Sequence, residues 1–278
     1  MTVIRAILKL LLLALWTILW FLPVWIAKLC GKIKLRDRFI SLFCSGMLCI
    51  FGITLKTTGK LSELRPLLVV SNHLTYMDII MLGSHAALRF TPKIEIGKWP
   101  LINWICRLTD SVFIDRRPEK LKEASQRMRD ILGKGDVISL FPESTTGNGL
   151  HLLPFKSGFF SLAETPINGQ ELHVQPVALT YTHIRRLPVD STQWPAIAWY
   201  GDMYLAPHLW TFLKLGSVTA ELVFLPPVTL SQYGDRKKLA AYCQKEIADT
   251  IESIRNIRER PSQKTLTSLL SKFSRLKS

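Results

Sequence analysis

A histidine and an aspartate five residues apart are the side chains of this chain best suited to proton transfer. Both lie in the segment SNHLTYMD, residues 71–78, directly after the apolar stretch 67–70. Histidine exchanges protons near neutral pH, and a nearby carboxylate can orient its ring and stabilise its charged form. On one helix His73 and Asp78 would lie roughly 140° apart, so the pair must span a turn between a strand and a helix. A simpler role stays open for Asp78, because Thr75 precedes it by three residues, as in a helix-capping box.

Three later segments place polar side chains on or after apolar stretches. The stretch VFI, residues 112–114, is followed by an aspartate and by Arg116, whose planar guanidinium suits phosphate. The stretch 137–141 leads into the loop PESTTGNG, residues 142–149, whose hydroxyls, glycines and backbone N–H groups can form an anion-binding nest. The last segment is VQPV, residues 174–177. Two of these segments could therefore bind an anionic group.

In this order and spacing, the four segments strongly resemble those of the 1-acyl-glycerol-3-phosphate acyltransferases and related lysophospholipid acyltransferases. The resemblance covers roughly residues 60–230, and the N-terminal helix pair is also similar. It implies that His73 and Asp78 are catalytic, that Arg116 contacts the acceptor phosphate and that Glu143 arranges the acceptor site. We expect further substrate-binding side chains at Ser144, Thr145 and Lys156.

The sequence departs from the common pattern of that family at three positions. Asp110 and Ser144 stand where the family usually has glycine, and Thr146 stands where it often has an arginine that binds phosphate. Lys156 could replace that arginine. The stretch 198–210 is similar to a bacterial branch of the family that includes both lysophosphatidate and lyso-ornithine-lipid acyltransferases. These departures leave the chemistry in place and leave the acceptor headgroup open.

The resemblance implies a direct acyl transfer, in which His73 takes the proton of a lysolipid hydroxyl and that oxygen attacks an acyl thioester. The first-choice acceptor is lysophosphatidate, which would give phosphatidate for phospholipid biosynthesis, and the alternative is a lyso-ornithine lipid. Acyl carrier protein or coenzyme A would carry the fatty acid as co-substrate, with no other cofactor and no metal. A membrane lipid hydrolase is a more distant alternative, since the sequence lacks the Gly-x-Ser-x-Gly motif of a covalent acyl-enzyme.

The positive charge of the chain is concentrated at its two ends. The formal net charge is +15, of which residues 1–60 contribute +8 and residues 255–278 contribute +6. A nucleic-acid-binding protein would usually carry its basic surface on the folded module, so this distribution argues against nucleic acid as a partner. It favours membrane lipids, because each Lys or Arg near an anionic headgroup layer contributes about 1 kcal/mol. The basic ends would also attract the acidic carrier protein.

Two uncharged stretches near the N-terminus, residues 10–27 and 39–55, predict helices that associate with a membrane. The linker 28–38 is strongly basic, and the positive-inside rule argues against its export. We therefore expect a helix pair embedded in the cytoplasmic leaflet of the inner membrane, with the active site facing the cytoplasm. A single crossing by residues 10–27 is the main alternative. Five cysteines without a CxxC pair fit reduced thiols in a cytosol-facing protein.

From residue 61 short apolar stretches alternate with helical ones, which predicts an α/β fold with a mostly parallel sheet flanked by helices. We divide the chain into a membrane-associated helical segment (1–58), an acyltransferase domain (59–258) and a basic amphipathic tail (259–278). The predicted strands are residues 67–71, 90–94, 112–114, 137–141, 173–181, 197–200 and 218–224. The predicted helices are residues 78–85, 100–108, 118–132, 157–164, 207–213 and 232–257.

Overall fold

The structure is a computed structural model that describes residues 2–115 and 117–259. Its helices are α1 (Thr2–Leu29), α2 (Ile33–Phe51), α3 (Met77–His85), α4 (Pro100–Leu108), α5 (Pro118–Gly133), α6 (Trp194–Ile197), α7 (Leu205–Lys214) and α8 (Arg236–Glu259). Its strands are β1 (Ile53–Thr58), β2 (Leu67–Ser71), β3 (Arg89–Phe90), β4 (Val137–Leu140), β5 (His173–Ile184), β6 (Leu187–Pro188) and β7 (Val218–Phe224). Short 3₁₀ helices lie at Ile94–Lys98, Ser157–Glu164 and Leu230–Gln232.

The strands form one mixed sheet in the spatial order β1-β7-β5-β2-β4-β3, with β6 paired to the end of β5. β5 runs antiparallel to β6 and β7, and the other neighbours are parallel. This arrangement confirms the predicted α/β fold with a mostly parallel sheet preceded by a helix pair. Because elements cover both faces of the sheet, every residue of β2 and β4 is buried. The carboxyl end of β2 therefore delivers the chain after Ser71 to a protected edge in the middle of the sheet.

Most predicted elements lie where the sequence places them, and β2, β7 and α4 have the predicted ends. The predicted strand at residues 197–200 is wrong, because this stretch is the last residue of α6 and the irregular chain after it. The buried side chains there are Trp194, Ile197 and Ala198, which follow the spacing of a helix face and not that of a strand. A four-residue apolar window does not distinguish these two patterns.

The predicted strands at 90–94 and 112–114 are also too long. β3 ends at Phe90, a 3₁₀ helix begins at Ile94, and one isolated bridge joins Lys93 to Ile114. The two stretches run side by side at the edge of the sheet, where few neighbouring strands extend the pairing.

The helical stretch predicted through residue 55 ends earlier, at Phe51. Gly52 has a φ of +76°, a left-handed conformation that favours glycine, and it caps α2. A side chain at Gly52 would also collide with the carbonyl oxygen of Gly216, which lies 2.4 Å from the position of a Cβ atom. The chain then enters β1, which pairs with β7, so residues 53–58 belong with the sheet and not with the membrane segment. The predicted tail at 259–278 lies outside the described residues except for its first position.

α1 and α2 pack against each other and against the rest of the fold. Ala6 and Leu13 of α1 are buried in the main apolar core, and the Trp16 indole lies over Gly46 of α2 and donates to the carbonyl of Phe43 at 3.0 Å. Among the described residues, α1 is the one helix long and apolar enough to cross a membrane by length and composition. Its outer surface is a continuous apolar strip that includes Ile4, Leu8, Leu11, Leu12, Leu15, Ile18, Leu19 and Leu22.

A chain of alternating charges joins the helix pair to the edge of the sheet. Arg36, at the start of α2, is 1% exposed and binds both Asp37 and Asp110. Arg89 of β3, also 1% exposed, binds Asp37 at 2.8 Å and Asp136 at 3.0 Å. Partial burial raises the pKa of Asp110, but hydrogen bonds from Lys28 and Arg36 outweigh this effect and hold the pKa below its usual value. Arg36 and Arg89 are buried, so the carboxylates bound to them take the place of the water that would otherwise stabilise their charges.

We expect Arg89→Met to lower the free energy of unfolding by about 2–3 kcal/mol, because it leaves two carboxylates without their shared partner. Asp37 and Asp136 are 21% and 35% exposed, which puts the effect at the lower end for a broken buried pair. Denaturant titration in detergent would measure it. Lys60→Met is the matched control, since Lys60 and its partner Glu63 are 85% and 91% exposed. Equal stability of the two variants would contradict a stabilising role for this chain of charges.

Candidate active site

Asp78 is a fully buried side chain on which four hydrogen bonds converge. It stands in the first turn of α3, and its Oδ2 accepts the backbone N–H groups of Leu74 at 2.6 Å and Thr75 at 2.9 Å. Oδ2 also bonds Nδ1 of His73 at 2.8 Å, and Oδ1 accepts the hydroxyl of Tyr181 at 3.1 Å. Because all four partners can donate, they suit an ionised carboxylate that only accepts.

The His73 turn, residues 72–78, therefore brings together the two side chains that the sequence singled out. His73 follows the end of β2 and Asp78 lies in α3, so the pair spans a strand-to-helix turn as predicted. Only half of the capping box forms, because Asp78 accepts the N–H of Thr75 while the buried Thr75 hydroxyl has no partner in the described part of the chain. Asp78 instead closes the turn from its C-terminal side.

The His73 imidazole is held on one face and at one nitrogen. Its ring stacks on Phe141, with centroids 3.9 Å apart and an interplanar angle of 10°. Nδ1 is occupied by Asp78, and the side chain is 17% exposed. The two ring nitrogens lie on opposite sides of the imidazole, so Nε2 points away from the carboxylate and is the nitrogen available to a ligand.

The Glu143 loop, residues 142–149, holds the backbone of His73 at two points. Glu143 Oε1 accepts the backbone N–H of His73 at 2.7 Å, and the carbonyl of His73 accepts the N–H of Gly147 at 2.8 Å. Glu143 Oε2 accepts the N–H of Leu153 at 2.9 Å. The loop that follows β4 is therefore fixed directly to His73, two residues after the end of β2.

Burial sets the charge state of Glu143. The residue is 3% exposed, and burial raises the pKa of its carboxyl group to about 7. The N–H groups of His73 and Leu153 oppose this shift, and the negative charge of Asp78 adds to it. Both carboxylate oxygens accept N–H groups, so the ionised form satisfies two donors, while a protonated acid would leave one of them poorly paired.

Three other predicted site residues lie on the same loop or close to it. Ser144 has a φ of +62°, a left-handed conformation that glycine adopts without strain, which explains why a glycine fits this position. Lys156 Nζ donates to the Ser144 hydroxyl at 2.9 Å, and Lys156 and Thr145 are exposed. The structure therefore places a cation and two hydroxyls on the outer side of the Glu143 loop.

Arg116, the predicted phosphate ligand, lies outside the described residues. The segment before it runs beside β3, where Ile114 donates to the carbonyl of Pro92 at 2.8 Å. The residue after it, Arg117, is 70% exposed and donates to Asp115 at 2.9 Å. The role of Arg116 stays a prediction.

Sequence reasoning missed three residues that hold the site in shape. Tyr181 of β5 reaches Asp78 across 103 residues of sequence. Phe141 ends the predicted strand 137–141, but its stacking on His73 does not follow from the sequence. The Asn72 amide exchanges two hydrogen bonds with the backbone of Leu179, at 2.8 Å and 2.9 Å, which continues the pairing of β2 with β5. One feature of the sequence could have pointed to Tyr181, because a tyrosine in a buried strand needs a hydrogen-bond partner for its hydroxyl.

Comparison with known proteins identifies the family. A family model described as Acyltransferase matches residues 52–180. A lyso-ornithine lipid O-acyltransferase from Brucella abortus (strain 2308) is 35% identical over 216 residues, which cover 76% of this chain and 81% of that protein. A 1-acyl-sn-glycerol-3-phosphate acyltransferase from Neisseria gonorrhoeae is 27% identical over 212 residues, 75% of this chain and 79% of that protein.

The fold has a counterpart among solved structures. The crystal structure of the 1-acyl-sn-glycerophosphate (LPA) acyltransferase PlsC from Thermotoga maritima matches with a TM-score of 0.63 at 19% sequence identity. The match covers 93% of this chain and 99% of that one, and so includes the helix pair as well as the sheet. The chain therefore belongs to the acyltransferase family that contains the bacterial lyso-ornithine lipid and 1-acyl-sn-glycerol-3-phosphate acyltransferases, and it is an acyltransferase.

Proposed function

We propose that this enzyme moves a fatty acyl group from a thioester directly to the free hydroxyl of a lysolipid, with His73 as general base. The bond between His73 Nδ1 and Asp78, 2.8 Å long, is the observation that carries the proposal. It puts the ring proton on Nδ1 and leaves Nε2 to take the hydroxyl proton. The lysolipid oxygen then forms the new C–O bond at the thioester carbonyl, the C–S bond breaks, and the imidazolium returns its proton to the departing thiolate.

In this mechanism the two buried carboxylates have different tasks. Asp78 orients the imidazole and stabilises its positive form, as the third member of a proton-transfer triad does. Glu143 holds the backbone N–H of His73 and the N–H of Leu153, and it donates no proton to the reaction. It fixes the position of His73 relative to the loop that receives the acceptor. Glu143 is therefore a positioning residue in this proposal.

We favour a lyso-ornithine lipid as the acceptor. The relative named for that lipid is 35% identical to this chain, against 27% for the Neisseria relative named for the phosphate lipid. Thr146 supports this choice, because an acceptor without a phosphate monoester has less need of an arginine there. Lysophosphatidate, the first-choice acceptor on the family resemblance, is the second candidate here, and the exposed Lys156 beside Ser144 supports it as a cation near the site.

The acyl donor would be the thioester of acyl carrier protein or of coenzyme A. Both donors are anionic, and the net charge of +15 would attract either of them. Neither donor brings catalytic chemistry beyond the thioester bond, so the proposal needs no resident cofactor.

The contacts of α1 support membrane association without crossing. Near its start, Lys9 donates to the carbonyls of Phe51 at 2.6 Å and Gly216 at 2.9 Å. Near its end, Lys28 pairs with Asp110 at 2.9 Å. The helix between these cations is about 29 Å long, close to the ~30 Å of a hydrocarbon core, yet both of its ends touch the same globular body. A helix held in this way lies along that body and would enter the cytoplasmic leaflet of the inner membrane by its apolar strip, with the site facing the cytoplasm.

We expect His73→Ala to lower kcat by about 10²- to 10⁴-fold, the usual contribution of a placed general base. Membranes containing the enzyme would receive labelled acyl thioester together with lyso-ornithine lipid and lysophosphatidate in separate reactions. Label should enter ornithine lipid in a His73-dependent way. His85→Ala is the matched control, since His85 is exposed and bonds Thr57 away from the site. Label that enters phosphatidate alone would reverse the order of the two acceptors, and full activity of His73→Ala would refute the mechanism.

We expect Glu143→Gln to lower kcat by about ten- to a hundredfold, because a glutamine has one acceptor oxygen for two buried N–H donors. The pH profile provides a second readout. As pH falls through about 7, wild-type Glu143 becomes protonated and loses one acceptor, so kcat should fall. This component of the acid limb should be missing from Glu143→Gln.

The same shift has a defined effect on stability. The folded-state pKa of Glu143 is raised from 4.5 to about 7, so the folded state binds the extra proton between these values. The stabilisation that Glu143 gives by binding this proton in the folded state is fully present below pH 4.5 and is lost as pH rises through 7. Glu143→Gln should flatten this slope, while Glu63→Gln, at an exposed position, should leave both profiles as in the wild type. An unchanged acid limb in Glu143→Gln would contradict the assignment.

The native Cys30 reports the topology of the helix pair. It is exposed in the linker between α1 and α2, and Cys49 is the other exposed thiol among the described residues. In a Cys49→Ser background, a membrane-impermeant maleimide should label Cys30 in inverted vesicles and not in intact spheroplasts. Labelling should disappear in Cys30→Ser. Labelling from the outside of spheroplasts would place the linker outside the membrane and refute the embedded helix pair.

A further inference from the structure

The segment between β6 and β7 contains aromatic residues that the mechanism above does not use. It follows the part of the chain matched by the family model, which ends at residue 180. Within it, residues 194–208 comprise α6, a turn and the first residues of α7; we call these residues the bridging segment. The bridging segment contacts both the His73 turn and the Glu143 loop.

The first contact fixes the backbone of the His73 turn. The N–H of Trp199 donates to the carbonyl of Leu74 at 2.9 Å, while the N–H of Leu74 donates to Asp78 at 2.6 Å. Leu74, the residue after the histidine, is therefore held at both of its backbone polar groups. Trp199 is itself fixed, because its indole N–H donates to the carbonyl of Met203 at 2.7 Å.

The second contact fixes a side chain of the turn. Tyr76 lies between Trp199 and His208 of α7, with ring centroids 6.1 Å and 5.7 Å away. Its hydroxyl bonds His208 Nδ1 at 3.1 Å, and His208 is 5% exposed. Burial raises the pKa of Tyr76 and lowers the pKa of His208, so the phenol keeps its proton and the imidazole is neutral. One hydrogen bond therefore joins the neutral phenol to the neutral imidazole, with the donor set by the tautomer of His208.

The third contact reaches the Glu143 loop. The Trp194 ring covers Gly149 so closely that a Cβ atom there would lie 2.1 Å from it. Arg255 of α8 lies over the Trp194 ring, 4.9 Å from its centroid, and donates to the carbonyl of Gly149 at 2.6 Å. The end of the loop thus contacts both a tryptophan and an arginine.

We propose that the bridging segment braces the His73 turn against the Glu143 loop, in addition to the two direct hydrogen bonds between them, with Tyr76 and His208 as positioning residues for His73. α6 is a single turn of helix. Trp194 at its start contacts the Glu143 loop, and Trp199, two residues after its end, contacts the His73 turn. A helical turn has a fixed length, so movement of one contact is transmitted to the other. The inference rests on His73 being the general base.

Tyr76 and His208 act through the backbone of the turn and touch no reacting atom. Losing their bond should leave both substrates bound and reduce the fraction of time that Nε2 lies in line with the lysolipid hydroxyl. A small misplacement of a reacting group lowers kcat more than it changes KM. The predicted signature is therefore a loss in kcat with unchanged KM values.

The test uses the full-length enzyme in membranes and compares kcat and both KM values among variants. His208→Phe and Tyr76→Phe should each lower kcat about five- to tenfold, the size of one net hydrogen bond, with KM values within about twofold of the wild type. The double variant should be no worse than either single one, because both remove the same bond. His208→Asn, whose amide can occupy the place of Nδ1, should restore most of the rate.

Two controls and one fallback variant separate the possible causes of a loss in kcat. Tyr204→Phe is the matched control, since Tyr204 belongs to the same segment, is 82% exposed and should keep full activity. His73→Ala in the same assay reports on the proposed base independently of the bridging segment. Tyr76→Phe, which removes a single oxygen, keeps the test decisive if His208→Phe does not fold.

The outcomes divide clearly. Equal, non-additive losses in kcat that His208→Asn repairs would support the proposal. Unchanged kcat in Tyr76→Phe, additive losses in the double variant, or no gain from His208→Asn over His208→Phe would each overturn it. An active His73→Ala would refute the proposed base itself, whatever the Tyr76 and His208 variants do.

Discussion

The Asp78 carboxylate has no exposure to solvent, and burying a charge costs several kcal/mol, on the order of the stability of a domain, unless hydrogen bonds replace the water. The replacement comes from the His73 imidazole, two backbone N–H groups of the turn and the Tyr181 hydroxyl. The turn can satisfy the charge in one shape only, and that shape directs Nε2 of His73 outward. Since Tyr181 belongs to β5, the orientation of His73, the proposed base, also depends on the pairing of β5 with β2. The geometry of the proposed catalytic pair and the register of the sheet are therefore one constraint.

Local features of the fold could be predicted because they depend on neighbours in sequence. The apolar stretches of β2 and β7 gave strands with the observed ends, and the five-residue spacing of His73 and Asp78 required a turn. Long-range partners could not be predicted: nothing in the sequence around Tyr181 indicates which buried group its hydroxyl meets. The strand expected at 197–200 failed for a different reason, since a four-residue apolar window does not distinguish a strand from the end of a helix.

Asp110 shows how a departure from a family pattern can be explained only in three dimensions. Its φ of +52° is the kind of conformation that makes glycine common, and aspartate is among the residues that tolerate it. In exchange, its carboxylate binds Lys28 and Arg36 at the corner between α1 and α2. From the sequence, Asp110 is only a position without the usual glycine. In the structure its carboxylate belongs to the chain of charges that also includes Arg89 and Asp136.

The cations at the start of α1 have a consequence for how this enzyme could be divided. Lys9 and Arg5 occupy carbonyl groups at the C-terminal ends of two other helices, those of Phe51 in α2 and Lys214 in α7, and Lys9 also binds Gly216. A cut after residue 30 would expose the apolar surface under α1 and leave these carbonyls without their donors. The helix is thus a structural part of the enzyme and not an exchangeable anchor. A foreign hydrophobic segment could attach the remainder to a bilayer, but it would restore the protein only if it carried positive charges at the same two turns.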